Sequence, residues 1–220
     1  MITFKQYLTE EKKFPNLLDI LKKDCKPFLE EAKGNGLLFR GVNDLGTPKK
    51  VSIPWVIDGM EPGEPINLYK KAVRNDRQPK DSSVLAHNIV NEWFKDEFGY
   101  PARSETIFCI GMIGKYGDES AGIVRKYGTP RVVFPIGKFE YVWATDVHDL
   151  FQQLHAMQTP NISEEELRKK IHRFLDHADY SHRYLRNALN QGNEIMVRCK
   201  SYYAIDIEHA YDLKEWMKTL

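Results

Sequence analysis

The amino-acid sequence predicts an α+β domain, and three observations carry that reading. Helix-like and strand-like patterns come in blocks (helix, strand, long loop, helix, several strands, helices, strands) rather than in the regular βαβ alternation of a doubly wound sheet. The glycine-rich loops of Rossmann and P-loop proteins are missing. Within 220 residues, 42% are hydrophobic and 12% aromatic, enough to bury one core. We divide the chain into residues 1–14, a short helix or tag, and residues 15–220, a single domain.

Composition narrows the function classes. The charged residues, 29% of the chain, mix both signs and leave a formal net charge of +1. Proteins that coat nucleic acid carry a clear basic excess, so nucleic acid is not the expected partner. Cys25, Cys109 and Cys199 are odd in number and far apart. This suggests neither a disulfide framework nor a cysteine zinc site, and a reducing setting is expected. No run approaches the about 18 apolar residues of a membrane span. The start, MITFKQYLTEEKKF, lacks the apolar stretch of a secretory signal.

The elements follow from local chemistry. Phe4, Tyr7 and Leu8 share one helical face near the N-terminus. Leu17, Leu18, Leu21 and Leu29 predict a helix from Asn16 to about Lys33, broken or kinked at Pro27. Gly34-Asn35-Gly36 is a turn that launches the apolar strand Leu37–Val42. Residues 43–81 are rich in Pro, Gly, Asp and Lys, which predicts long connections with a short strand near Val51–Ile57 and an exposed polar stretch from Val73 to Asp81. Asp81, Ser82 or Ser83 caps the next helix. Leu85, Ile89, Val90, Trp93 and Phe94 repeat at helical spacing up to Phe98-Gly99. Thr106–Gly111 is a strand, and Val132–Gly137 and Phe139–Trp143 are expected to pair across Gly137-Lys138. Ser163-Glu164-Glu165-Glu166 is a capping box opening a helix with Leu167, Ile171, Phe174 and Leu175. Ser181–Asn190 is read as a further helical piece, Glu194–Cys199 and Tyr202–Ile207 as strands, and the end as a short helix with Tyr211 and Trp216.

Several chemistry-bearing residues are expected to be structural. His172, His177 and His182 are five apart, a rotation of about 140° around a helix, so they do not share a metal-binding face. Glu164–Glu166 complement a helix dipole. Cys109 lies in an apolar strand as a core thiol. Asp206 and Glu208 lack an evident partner. Lys49, Lys50, Lys70, Lys71, Arg74 and Arg77 suit either a solvated loop or a cleft for an anion, the solvated loop being preferred.

Three pieces remain. Leu38-Phe39-Arg40-Gly41 puts an arginine at the end of a strand. Arg103-Ser104-Glu105-Thr106 puts a hydroxyl at the start of another. Gly192-Asn193-Glu194-Ile195-Met196 puts a carboxylate at the start of a third, followed by Tyr202-Tyr203. In this order they resemble the Arg–Ser–Glu class of mono-ADP-ribosyltransferases. The likeness runs from about residue 36 to 208 and extends to ADP-ribosyltransferase-fold proteins of large tailed phages. It implies a split β-sandwich core with flanking helices, and NAD as co-substrate. Under it, Glu194 stabilises the cationic ribose left when nicotinamide departs, Arg40 takes the pyrophosphate or ribose, and Ser104 holds the ribose and the carboxylate. Gly41 leaves backbone room beside the nicotinamide. The implied catalytic residues are thus Glu194, Ser104 and Arg40, with Arg40, Gly41, Ser104 and Glu194 binding NAD and no metal. Two positions differ from the family pattern: Gly192 stands where a Glu or Gln often orients the acceptor, and Glu105 occupies the centre of a Ser-Thr-Ser motif.

Met1–Glu10 resembles the capsid-targeting peptides of phage internal head proteins, with Leu8-Thr9-Glu10 matching a prohead-protease site cut after Glu10. That likeness implies residence in the virion head, delivery to the host cytoplasm and a host macromolecule as acceptor. The alternative expectation is a non-catalytic internal-head or host-interaction protein of the same fold.

Overall fold

The computed structural model describes residues 14–55, 64–79 and 83–220. The N-terminal peptide, and the strand expected to reach Ile57, therefore lie wholly or partly outside the described residues. The expected α+β class is shown: one eight-stranded antiparallel sheet with nine α-helices among the described residues.

The first helical stretch divides as its proline requires. Helix α1 (Leu17–Asp24) is capped by Asn16, whose Oδ1 accepts from the Leu18 amide at 2.8 Å. Helix α2 (Lys26–Ala32) starts afresh with Pro27 in its first turn, where a missing N–H costs nothing. Strand β1 (Leu38–Val42) follows, then β2 (Lys49–Val51) and β3 (Ile66–Ala72). Strand β3 lies in the stretch expected to be only connections. Its Ile-x-Leu alternation is short and ends in Lys70-Lys71, yet it pairs along its length with the Tyr202-Tyr203 strand. Tertiary pairing outweighs its weak local signal.

Helix α3 (Val84–Phe98) is capped by Ser83 and closed by Gly99 at φ 83°, as its sequence predicts. A four-residue helix, α4 (Ala102–Glu105), leads into β4 (Ile107–Ile110). Helix α5 (Asp118–Val124) and a 3-10 turn (Arg125–Tyr127) precede β5 (Thr129–Pro135) and β6 (Phe139–Trp143). Helix α6 (Leu150–Met157) and the Ser163-capped α7 (Glu164–His177) come next. The helix expected over Ser181–Asn190 shrinks to α8 (Leu185–Ala188). Strands β7 (Glu194–Cys199) and β8 (Ser201–Asp206) and helix α9 (Ala210–Met217) end the chain.

The strand order is β2-β3-β8-β5-β1-β4-β7-β6. Strands β5 and β6 do not form the expected hairpin. Strand β5 pairs with β1 and β8, and β6 with β7, so the Gly137 turn carries the chain across the sheet. Strands β1 and β4 meet at a single pair, Phe39 with Ile110, whereas β1 and β5 share five. The sheet is thus weakly joined in its middle, with five strands on one side and β4, β7 and β6 on the other. One core gathers Phe28, Phe39, Phe134, Tyr202 and Ile205; a second gathers Phe94, Val142, Leu154, Ile171 and Met196 beneath α3, α6 and α7. The Trp93 indole joins α3 to α7 through Asp176 at 2.8 Å.

Candidate functional site

Phe108, in the middle of β4, is the residue around which the polar side chains collect. Where β1 no longer pairs with β4, the Arg40 side chain fills in, and its Nη1 donates to the Phe108 carbonyl at 2.8 Å. Two residues earlier along the extended backbone, Arg77 Nη1 donates to the Thr106 carbonyl at 3.1 Å. Carbonyls two apart point to the same strand edge, so Arg40 and Arg77 cap one edge of β4 side by side. The Arg77 guanidinium carbon is also 4.4 Å from the Phe108 ring centroid, and that of Arg103 is 4.5 Å from it.

Glu194 opens β7 and pairs with Ile110 on β4. Its Oε1 accepts from Arg103 Nη1 at 3.4 Å, with the two side chains only 14% and 10% exposed. Burial pushes the Glu194 carboxyl up; the Arg103 guanidinium acts against this and favours the carboxylate. Next to it, buried Asn193 donates to the Ala144 and Thr145 carbonyls and so ties the start of β7 to the loop after β6.

Ser104 lies in α4 rather than at the start of a strand. The strand begins at Ile107, and the residues before it complete a helical turn on the Pro101 carbonyl. Its hydroxyl contacts His87 Nε2 at 3.0 Å and Asn91 Nδ2 at 2.8 Å, and donates to the Arg77 carbonyl at 3.2 Å. The Arg77 amide returns a bond to the Ser104 carbonyl at 3.4 Å. Burial, with Arg103 and Arg77 adding repulsion, pulls His87 down to about 4, so it is neutral at pH 7.

The structure therefore brings Arg40, Ser104 and Glu194 into one neighbourhood, each one intermediary from Phe108 or bonded to it. Arg40 touches its carbonyl, Glu194 is reached through Arg103, and Ser104 through Arg77. Gly41 is occupied differently. A Cβ there would stand 2.3 Å from the Val124 carbonyl oxygen, so the close approach is made by the end of α5. Gly192 faces the tip of the Ile113 side chain instead, 2.5 Å from where a Cβ would stand.

The chain matches no protein-family model. It has no significant match among curated proteins or solved structures.

The sequence did not single out Arg103, His87 or Asn91, and it favoured a solvated loop over an anion cleft for Arg77. Arg77 is half-buried against Phe108. Arg103 was only a neighbour of Ser104. His87 and Asn91 do leave a signal: two polar residues four apart, next to the apolar face of their helix. Other expectations resolve simply. Cys109 is a core thiol, pushed up to about 12 by burial. Asp206 is not partnerless, since Arg131 of β5 forms an ion pair with it across the β5–β8 register. No group of potential metal ligands occurs among the described residues.

A separate groove of about 920 Å³ opens at the far end of β7, lined by Arg74, Glu105, Lys138, Glu140, Arg198 and Lys200 among others. Five residues of strand, about 16 Å, separate its Cys199 end from Glu194. There Arg198 is answered by Glu105 at 2.8 Å and Glu140 at 2.9 Å, so its charge is balanced. Around Phe108, Arg40 bonds the carbonyl and Arg77 and Arg103 lie against the ring, and among the described residues the acid in contact with them is Glu194, through Arg103.

Proposed function

We propose that the protein is an NAD-dependent mono-ADP-ribosyltransferase of a tailed phage, acting on a host macromolecule. The observation that carries this reading is the gathering of Arg40, Ser104 and Glu194 around Phe108, beside the weakly joined β1–β4 seam. The five-and-three division of the sheet at that seam supports a split β-sandwich.

The residues fit an anionic dinucleotide. Guanidiniums suit a pyrophosphate, and the Nε donors of Arg40 and Arg103 are buried without a partner among the described residues. In the reaction, the bond between the ribose C1′ and the nicotinamide nitrogen breaks and its electron pair leaves with nicotinamide. Glu194, paired with Arg103, would accept from the ribose 2′-hydroxyl and stabilise the cationic sugar. An acceptor nucleophile then bonds to C1′ and loses its proton. Ser104 would act through Arg77, the loop segment that it pins. The N-terminal likeness supports residence in the virion head before delivery to the host cytoplasm, with cleavage after Glu10.

Labelled NAD and host lysate test the reading. Wild type is expected to label a host macromolecule, and Glu194→Ala to lose labelling while still folding, at a lowered melting temperature because Arg103 loses its carboxylate. Labelling that survives in Glu194→Ala removes the carboxylate from its role. No labelling and no calorimetric NAD binding favours the non-catalytic head or host-interaction protein instead.

A further inference from the structure

Strand β6 ends the strand order, so one of its edges has no strand beside it over most of its length. Peptide groups alternate in direction along an antiparallel strand, and a bridge to Ser181 settles which of them face out. The Trp143 amide donates to the Ser181 carbonyl at 3.0 Å, and the Trp143 carbonyl accepts from the Ser181 amide at 2.8 Å. Trp143 therefore turns its peptide groups away from β7. Tyr141 and Phe139, on the same alternation, do likewise, and their N–H and C=O groups have no partner among the described residues. The chain itself does not continue along this edge. Arg183, which an unbroken strand would set opposite Tyr141, gives its carbonyl to the Trp143 indole at 2.8 Å, and Tyr184, at φ 60°, leads into α8.

The groove of about 920 Å³ runs round this edge. Glu140 lines it from one face of β6, where it meets Arg198. Phe139 and Tyr141 line it from the other face, with Pro27 and Glu31 of α2 beside them. A cavity that touches both faces of a strand passes round its open edge and, here, its Lys138 end. The charges along it are unequal. Arg198 takes up Glu105 and Glu140, and Arg74 takes up Asp76 at 3.2 Å. Lys138 and Lys200, both exposed, have no carboxylate in ion-pair reach among the described residues. Glu31 is the one acid left over in the lining, and its Oε1 accepts from the Tyr141 hydroxyl at 3.3 Å. An open strand edge is a template for another strand, and this one lies in a groove with spare positive charge.

We propose that the edge of β6 from Lys138 to Tyr141 binds an extended segment of a partner protein, which adds antiparallel to the sheet and carries carboxylates at its Lys138 end. Phe139 and Tyr141 make the ladder, each offering one N–H and one C=O to the incoming strand. Partner side chains opposite them point to the same face of the sheet, towards the two rings, so β-branched apolar residues suit those places. Acids beyond them complement Lys138 and Lys200. No residue of the Phe108 cluster takes part, so the proposal stands or falls apart from the transferase reading.

Fluorescence anisotropy on the full chain, with the labelled N-acetylated peptide Thr-Val-Thr-Val-Glu-Glu, is the test. In the antiparallel register its valines fall opposite Tyr141 and Phe139 and its acids at Lys138. Binding is expected, with slowed hydrogen exchange of the Phe139 and Tyr141 amides. The same peptide N-methylated at both valines cannot donate to β6, and it should bind about tenfold more weakly or worse. A loss of similar size is expected for Thr-Val-Thr-Val-Lys-Lys. The double variant Lys138→Glu, Lys200→Glu should lose the acidic peptide to the same extent at an unchanged melting temperature, because both lysines are exposed. No binding of the acidic peptide at up to about 1 mM overturns the proposal. Equal affinity for the N-methylated or the lysine peptide overturns it too, as does unchanged affinity in the double variant. A dimer in sedimentation whose Phe139 and Tyr141 amides are already protected overturns it in favour of a second copy of this chain.

Discussion

His87 makes the stability of this protein depend on pH in a window that can be stated in advance. Its side chain is 4% exposed and its ring faces Ser104 and Asn91, with Arg103 and Arg77 close enough to oppose a further positive charge. Burial is the larger cause of its lowered affinity for a proton, and the two arginines add to it. The folded state therefore takes up the proton near pH 4, the unfolded chain near 6.5. Above about 6.5 both states are neutral at this position and the residue is neutral to stability. As pH falls from there to about 4, the unfolded state gains a proton that the folded state refuses, so stability is lost. The gap corresponds to about 3 kcal/mol between pH 7 and pH 4. Urea unfolding of wild type and His87→Gln across this range isolates the effect, because carboxylates common to both cancel in the difference. Glutamine retains a donor within reach of the Ser104 hydroxyl. The wild type should lose about 3 kcal/mol more than the variant on going to pH 4. Parallel curves for the two proteins would refute the placement of His87 as a buried neutral ring beside Arg103 and Arg77.

Two further predictions concern the backbone that holds the site. Gly41→Ala sets a methyl 2.3 Å from the Val124 carbonyl oxygen and 2.8 Å from the Gly128 nitrogen, both main-chain atoms. A loss of about 3 kcal/mol is expected in thermal or chemical unfolding, while Gly122→Ala, which meets nothing, should be neutral or stabilising. Asn193→Ala leaves the carbonyls of buried Ala144 and exposed Thr145 without this side-chain donor. It should cost about 2–3 kcal/mol in chemical unfolding.

Much of the secondary structure was legible because its causes are local. Ser83 and Gly99 bound α3, Ser163 opens α7, and Pro27 separates α1 from α2, each through hydrogen bonds or sterics within a few residues. The apolar runs of β1, β4, β7 and β8 likewise announced themselves. Strand β3 did not, because a run ending in two lysines becomes a strand only when β8 supplies its ladder. Nor could adjacency in sequence show that β5 and β6, separated by only three residues, take different partners.

The same division holds for the site. Arg40 and Glu194 were identifiable as a cation and an acid at strand positions, and their identity as residue types belongs to the sequence alone. Their meeting does not. It depends on β4 standing between β1 and β7, and on a pairing with β1 so brief that the Phe108 and Thr106 carbonyls are capped by Arg40 and Arg77. Arg77 looked like a solvated loop residue, and Ser104 like the first residue of a strand, since Phe108 lies far from Arg77 in the chain and His87 lies 17 residues from Ser104. Local preferences act over a turn of helix or a few residues of strand. Which side chains share a surface is chosen by the packing of the whole sheet, and in this protein that packing put three arginines around one phenylalanine.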